Sequence, residues 1–258
     1  FEHFSATLPG GFVHLVGPNA SGKSTFLLLA SGRLSSNAGQ VHLFGKDLAK
    51  MSEVERNLRA SFIYQNMEFD TADKTQELLE QVFMNGAFNG KETYKGKDLL
   101  QTVIEVFQLE NVLQRSLKGQ SKGEIQRVLL AFSLLYGSKS VFMDEPFFAM
   151  EYYQKEKALD FLKSYSNEKN IPMYISIHEL ELSKKYAEKV LLFYPNRDMD
   201  FGTPSEVLTK KALEKSYGVP VALLRDSEEL TRKSLVEASN AIQNFQETLS
   251  EAENQLLK

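Results

Sequence analysis

Nine consecutive residues, Gly17-Pro18-Asn19-Ala20-Ser21-Gly22-Lys23-Ser24-Thr25, have the types and spacing needed to hold a polyphosphate. They fit the pattern G-x-x-x-x-G-K-[ST]. Its glycines let the backbone curl so that successive N–H groups, from Gly17 through Asn19, Ala20, Ser21 and Gly22 to Thr25, can point inward at phosphate oxygens. Lys23 would reach the β- and γ-phosphates, and the Ser24 hydroxyl would ligate Mg²⁺. At average residue usage, a chain of this length matches the pattern by chance on the order of one time in a hundred.

Two more groups could do chemistry. Val141-Phe142-Met143-Asp144-Glu145-Pro146 is an apolar run ending in two carboxylates. Alone it reads as readily as an acidic turn after a buried strand. Downstream of a phosphate loop, Asp144 would hold Mg²⁺ through water and Glu145 would polarise the water that attacks the γ-phosphate. About twenty residues earlier lies Ser121-Lys122-Gly123-Glu124-Ile125-Gln126-Arg127, running into the apolar stretch Val128 to Leu135. Ser121 is a good N-cap and Gly123 keeps the backbone open, so this segment reads as a second helix N-terminus able to bind an anion.

The elements that must position these residues follow from periodicity. Phe12 to Val16 reads as a short buried strand and Thr25 to Ala30 as the start of a helix, an order that puts a helix dipole on the phosphate. Val41 to Phe44 and Ala60 to Tyr64 read as further strands. Helical spacing then takes over, with Leu78, Leu79, Val82 and Phe83, then Leu99, Leu100, Val103, Ile104 and Phe107. The Gly-, Asn- and Lys-rich stretch Asn85 to Lys97 reads as a linker, and residues 72–137 as an inserted helical block. Three apolar strands return at Val141 to Met143, Met173 to Ile177 and Val190 to Phe193. Strands alternating with helices imply an α/β fold with a mostly parallel sheet covered on both faces. From Leu235 the apolar positions run Leu235, Ala238, Ile242, Phe245, Leu249, Ala252 and Leu256, a heptad seam expected to form an amphipathic helix or a partner-recruiting coiled coil.

Composition narrows the class. Of 258 residues, 42% are hydrophobic and 25% charged, as in an ordinary globular protein. The net charge of −4 argues against a dedicated nucleic-acid binder. The absence of cysteine excludes disulfides, thiolate metal sites and thiol catalysis, and suits a reducing compartment. The longest apolar run, Val128 to Tyr136, is too short to span a bilayer. No basic segment followed by an apolar one opens the chain, so no signal peptide is expected. The first residue is Phe rather than Met, so residues are expected to precede it in the natural protein.

The Ser-x-Gly-Glu-x-Gln-Arg segment just before an Asp-Glu strand, together with the phosphate loop, resembles the ATP-binding cassette (ABC) ATPases. Two further positions match that family: Gln65, after the strand ending at Tyr64, corresponds to its Q-loop glutamine, and His178, after the strand Met173 to Ile177, to its switch histidine. The resemblance covers roughly residues 4–221. It implies a P-loop NTPase sandwich with a RecA-like core (1–66 and 138–221), an inserted helical subdomain carrying the signature (67–137) and a C-terminal helical tail (222–258). It also implies ATP and Mg²⁺ as ligands. Glu145, His178 and Gln65 would be catalytic, with Ser24, Gln65 and Asp144 at the metal. Ser121 and Gly123 would meet the nucleotide of a second copy in a head-to-tail dimer.

Segments around Gly45 to Arg56, Gln114 to Ser116, and Phe201 to Thr209 followed by Tyr217 to Val221 are similar to those of iron–siderophore, haem and cobalamin importers. On that resemblance the partners would be integral membrane permease subunits, with a substrate-binding protein in the same system. The chain would sit on the cytoplasmic face of the cell membrane. An exporter or lipid-handling ATPase, or a soluble ABC ATPase using its tail helix to bind partners, are the alternatives. The chain departs from the family pattern in two places. Gln120-Ser121-Lys122-Gly123 stands for the usual Leu-Ser-Gly-Gly, and Phe148-Ala149-Met150-Glu151 for the usual Ser-Ala-Leu-Asp. No aromatic residue upstream of the phosphate loop is assigned to the base; Phe1 and Phe4 are the only ones before Pro9.

Overall fold

The computed structural model describes residues 1, 4–65, 67 and 71–224. The heptad seam after Leu235 therefore lies outside the described residues. The chain begins with β1 (Phe12–Val16), α1 (Lys23–Ala30), the hairpin β2 (His42–Leu43) and β3 (Lys46–Asp47), α2 (Glu53–Arg59) and β4 (Ala60–Ile63). A largely helical stretch follows: α3 (Thr75–Asn85), the hairpin β5 (Thr93–Tyr94) and β6 (Lys97–Asp98), α4 (Leu99–Phe107) and α5 (Lys122–Leu135). The chain then returns through β7 (Ser140–Asp144), α6 (Tyr152–Lys169), β8 (Met173–Ser176), α7 (Leu180–Tyr186), β9 (Lys189–Phe193) and β10 (Met199–Gly202), ending in α8 (Pro204–Val207) and α9 (Lys210–Tyr217).

Six strands form one sheet in the order β10-β9-β1-β8-β7-β4, all parallel except β10, which runs antiparallel to β9. Every residue of β1, β7 and β8 is buried, which is why these strands read as unbroken apolar runs rather than alternating ones. Their side chains still alternate between faces. Val13, Leu15, Phe142 and Tyr174 join Phe26 and Leu27 of α1 in one core. Phe12, Val141, Met143, Met173 and Ile175 join the larger core on the other face, continuous with residues of α3 to α7.

Most expected elements occur, with bounds shifted by one or two residues. The stretch Asn85 to Lys97, expected as a linker, holds most of the β5–β6 hairpin, and the strand β10 and the helix α2 carry no clear period in the sequence. Two-residue strands and a seven-residue helix are too short for periodicity to register.

Candidate functional site

β1 delivers the chain into the phosphate loop, and α1 begins at Lys23. Gly17 and Gly22 adopt φ of 147° and 106°, and Ala20 also has positive φ. A Cβ on Gly17 would lie 2.7 Å from the Phe193 carbonyl at the end of β9, so both conformation and space require glycine there. Gly22 is the N-cap of α1 and supplies no side-chain cap; no acidic residue stands in the first turn. The N–H groups at this terminus are thus left for an external anion. Lys23 is buried, and its Nζ donates to the carbonyls of Gly17 (2.8 Å) and Pro18 (3.0 Å). Burial lowers its pKa, while the carboxylates of Glu145 and Asp144 act to raise it. Ser24 and Thr25 are exposed, as are Asn19 and Ala20; Ser21 is buried.

The sheet order assembles the rest. β8, β7 and β4 are adjacent parallel strands, so the residues following their tips stand side by side. Glu145 is in the middle. Its Oε2 accepts from Gln65 Nε2 at 2.6 Å, and its Oε1 lies 2.6 Å from His178 Nε2. The hydrogen bond from His178 holds the Glu145 pKa below the usual carboxylate range; burial opposes this, and the charges of His178 and Lys23 reinforce it. Asp144, buried at the end of β7, accepts from Ser176 Oγ at 2.7 Å, and the same Oγ accepts from the Glu145 N–H at 2.8 Å. Gln65, Glu145, His178, Asp144 and Lys23 are therefore gathered at the carboxyl ends of the strands, the usual place for ligands in an open α/β sheet.

The second helix N-terminus has a different character. Ser121 caps α5, its Oγ accepting from the Glu124 N–H at 3.3 Å, while Glu124 Oε2 accepts from the Ser121 N–H at 2.7 Å. Arg115 donates to the other oxygen of Glu124 at 2.8 Å. Gly123, expected to keep the backbone open for an anion, also packs closely on the loop after Glu145. A Cβ on it would sit 2.5 Å from the Ala149 carbonyl. Gln126 completes that contact, its Oε1 accepting from the Ala149 N–H at 2.8 Å. Gln120, which departs from the family pattern, is buried and donates to Thr75 Oγ1 at 2.6 Å, tying the segment to the start of α3. Glu151 is the N-cap of α6.

Comparison with known proteins gives the family and the fold. The family model for the ABC transporter matches residues 2–148 of the 258. The chain belongs to the ABC transporter family. It is 28% identical over 232 residues to the hemin import ATP-binding protein HmuV of Escherichia coli O157:H7, covering 87% of this chain and 89% of that protein. It is 25% identical over 222 residues to the petrobactin import ATP-binding protein FpuC of Bacillus anthracis, covering 85% and 81%.

Among solved structures, one described as the ATP-binding subunit of an ABC transporter shares the fold with a TM-score of 0.67 and 21% identity, over 84% of this chain and 88% of its own. The dimeric post-hydrolysis state of the ATP-binding cassette MJ0796 bound to ADP and Pi gives 0.64 and 20%, over 76% and 86%. This ABC cassette is accordingly an ATPase by family. No helix among its described residues is long and apolar enough to cross a membrane.

The ABC motifs did not reveal every residue of the centre. Ser176 bridges Asp144 and Glu145, and its only sequence signal is a lone hydroxyl inside the apolar strand Met173 to Ile177. Lys155 of α6 is buried and pairs with Glu179, the N-cap of α7 and the neighbour of His178. Phe1 lies against the phosphate loop, its Cζ 3.1 Å from where a Gly22 Cβ would stand. With Phe4 it lines a cleft of about 820 Å³ beside Tyr194, Asp198 and Lys215.

Proposed function

We propose that this chain is the ATP-hydrolysing subunit of a membrane importer for an iron complex, haem or cobalamin, acting as an ATP-sandwich dimer on permease subunits at the cytoplasmic face of the cell membrane. The observation that carries the ATPase assignment is Glu145 held between Gln65 and His178 beside Lys23. The importer class rests on the relatives named for hemin and petrobactin import and on the segments around Gly45, Gln114 and Phe201. Residues 67–137 are read as the signature-bearing subdomain and the remainder up to 221 as the ATP-binding core.

Phosphate fits the loop because its N–H groups have no side-chain cap and Lys23 carries a buried charge facing carbonyls. Mg²⁺ fits at the exposed Ser24 hydroxyl with Asp144 and Gln65, and would offset phosphate charge there. Glu145 is kept ionised by His178 and Lys23, so it can accept the proton of the attacking water as the water oxygen bonds to the γ-phosphorus and the bond to the β-phosphate oxygen breaks. Both Glu145 oxygens are engaged by side chains. Gln65 holds Oε2 through one of its two lone pairs, which leaves the other for the attacking water. His178 stays on the other oxygen and orients the carboxylate. Ser121 and Gly123 of one copy close on the γ-phosphate bound by the other.

The test is the Glu145→Gln variant. It should bind ATP, shift from monomer to dimer by light scattering only with ATP and Mg²⁺, and turn over roughly 10²- to 10⁴-fold more slowly, the range of a lost general base. Near-normal hydrolysis would remove Glu145 from the role. Reconstitution with a haem- or siderophore-class permease, which ATP hydrolysis should energise, tests the cargo class.

A further inference from the structure

Glu145 stands in a backbone conformation that its residue type disfavours. Its φ is 49°, in the left-handed region, where a residue with a Cβ is strained. Such an outlier persists only where its surroundings over-determine it. Here one hydroxyl stands out among those surroundings. Ser176 is fully buried on β8, opposite Asp144 in the parallel register with β7. Its Oγ accepts from the Glu145 N–H at 2.8 Å and donates to Asp144 Oδ1 at 2.7 Å. A hydroxyl has a single hydrogen, so the only donation Ser176 can make goes to Asp144. On the other side of the turn, the Glu145 carbonyl accepts from the Phe148 N–H at the longer distance of 3.3 Å.

This inference rests on the assignment above of Glu145 as the base for the attacking water. We infer that Ser176 is a positioning residue for that base: its hydroxyl locks the left-handed turn that sets the Glu145 carboxylate between Gln65 and His178. Being fully buried, Ser176 acts only through the groups it holds. With the Glu145 N–H released, φ relaxes toward the extended values of a strand, and the Cβ swings away from Gln65 and His178. The carboxylate then loses its 2.6 Å contacts with Gln65 Nε2 and His178 Nε2. Because the same hydroxyl holds one oxygen of Asp144, a single group on the neighbouring strand sets both carboxylates at the end of β7. Positioning of this kind acts on rate rather than on nucleotide binding, since the phosphate loop and Lys23 hold the phosphates without it.

The experiment measures steady-state hydrolysis by Ser176→Ala, alone and in the Glu145→Gln background, with ATP affinity from titration calorimetry. Alone, the substitution should lower kcat at least tenfold, because misplacing a reacting group by about 1 Å costs on the order of 10²-fold. KM for ATP should stay within about twofold. In the Glu145→Gln background it should change the residual rate by less than about twofold, because the base it would misplace is already gone. Ser176→Cys, whose thiol is a weaker donor and acceptor, should fall between Ser and Ala in kcat. An unchanged kcat in Ser176→Ala would overturn the role. So would an equal fold-loss in both backgrounds, which would locate the effect in the strand rather than in Glu145. Lost ATP affinity in Ser176→Ala, or a Ser176→Cys rate no better than that of Ser176→Ala, would likewise reduce Ser176 to a packing residue. Near-normal hydrolysis by Glu145→Gln alone would instead remove the base assignment, and this inference with it.

Discussion

Two helix N-termini in this molecule were expected to hold phosphate, and they are built differently. That of α1 has a glycine N-cap, no side-chain cap and no acidic residue in its first turn. That of α5 is closed by its own capping box, with the Glu124 carboxylate on the Ser121 N–H and Arg115 on the carboxylate. Burial would raise the Glu124 pKa, but bonds from Ser121 and Arg115 outweigh it and keep the group ionised. The first terminus is open to an anion on its own account; the second already has one. The difference suits a division of labour in which α1 captures the nucleotide and α5 engages only a phosphate that another copy has already fixed.

The largest expected effect separates the two directly. Lys23→Ala should weaken ATP binding by the isolated chain roughly 10- to 100-fold, the worth of hydrogen bonds to a charged group. Ser121→Ala should leave that affinity unchanged in the same titration calorimetry. Loss of affinity in both would mean that the termini act on one nucleotide within one chain.

The ground beneath them differs too, and acid should expose it. α1 follows a strand in which His14 is fully buried, its Nδ1 3.3 Å from Ser183 Oγ. Burial, with the charge of Lys163, pushes its pKa down to about 3 from 6.5. The unfolded chain binds this proton below about pH 6.5 and the folded chain does not until about pH 3. The stability from a neutral His14 is therefore complete above 6.5 and is lost as pH falls, by about 1.4 kcal/mol per unit. The unfolding free energy from urea titrations should drop by about 2 kcal/mol between pH 6.5 and 5 for this group, and a His14→Leu variant should show a flatter acid limb. Identical limbs would show that His14 becomes protonated without unfolding the strand beneath the phosphate loop.

The smallest effect sharpens the comparison at α5. Glu124→Gln keeps an acceptor for the Ser121 N–H and removes the resident negative charge. In the Glu145→Gln background it should tighten the ATP-dependent dimer about two- to fivefold, the size of one charge at a helix terminus. A weaker dimer would show that the Arg115–Glu124 pair shapes the terminus more than its charge opposes phosphate.

The sequence by itself determined the parts of this protein whose information is local. A nine-residue loop, an Asp-Glu after an apolar run and a capping Ser carry their chemistry within a few positions, because phosphate and helix N-termini are served by consecutive backbone N–H groups. The order of strand, loop and helix around them was legible for the same reason. What only the tertiary structure decided is how distant pieces meet. Sheet order β8-β7-β4 sets Glu145 between His178 and Gln65 and makes Ser176 the bridge to Asp144; no spacing along the chain encodes that a residue eighty positions away shares its carboxylate. That Gly123 also seats the Ala149 carbonyl came only from the tertiary structure, since a missing Cβ acquires meaning only from the atom that fills its place.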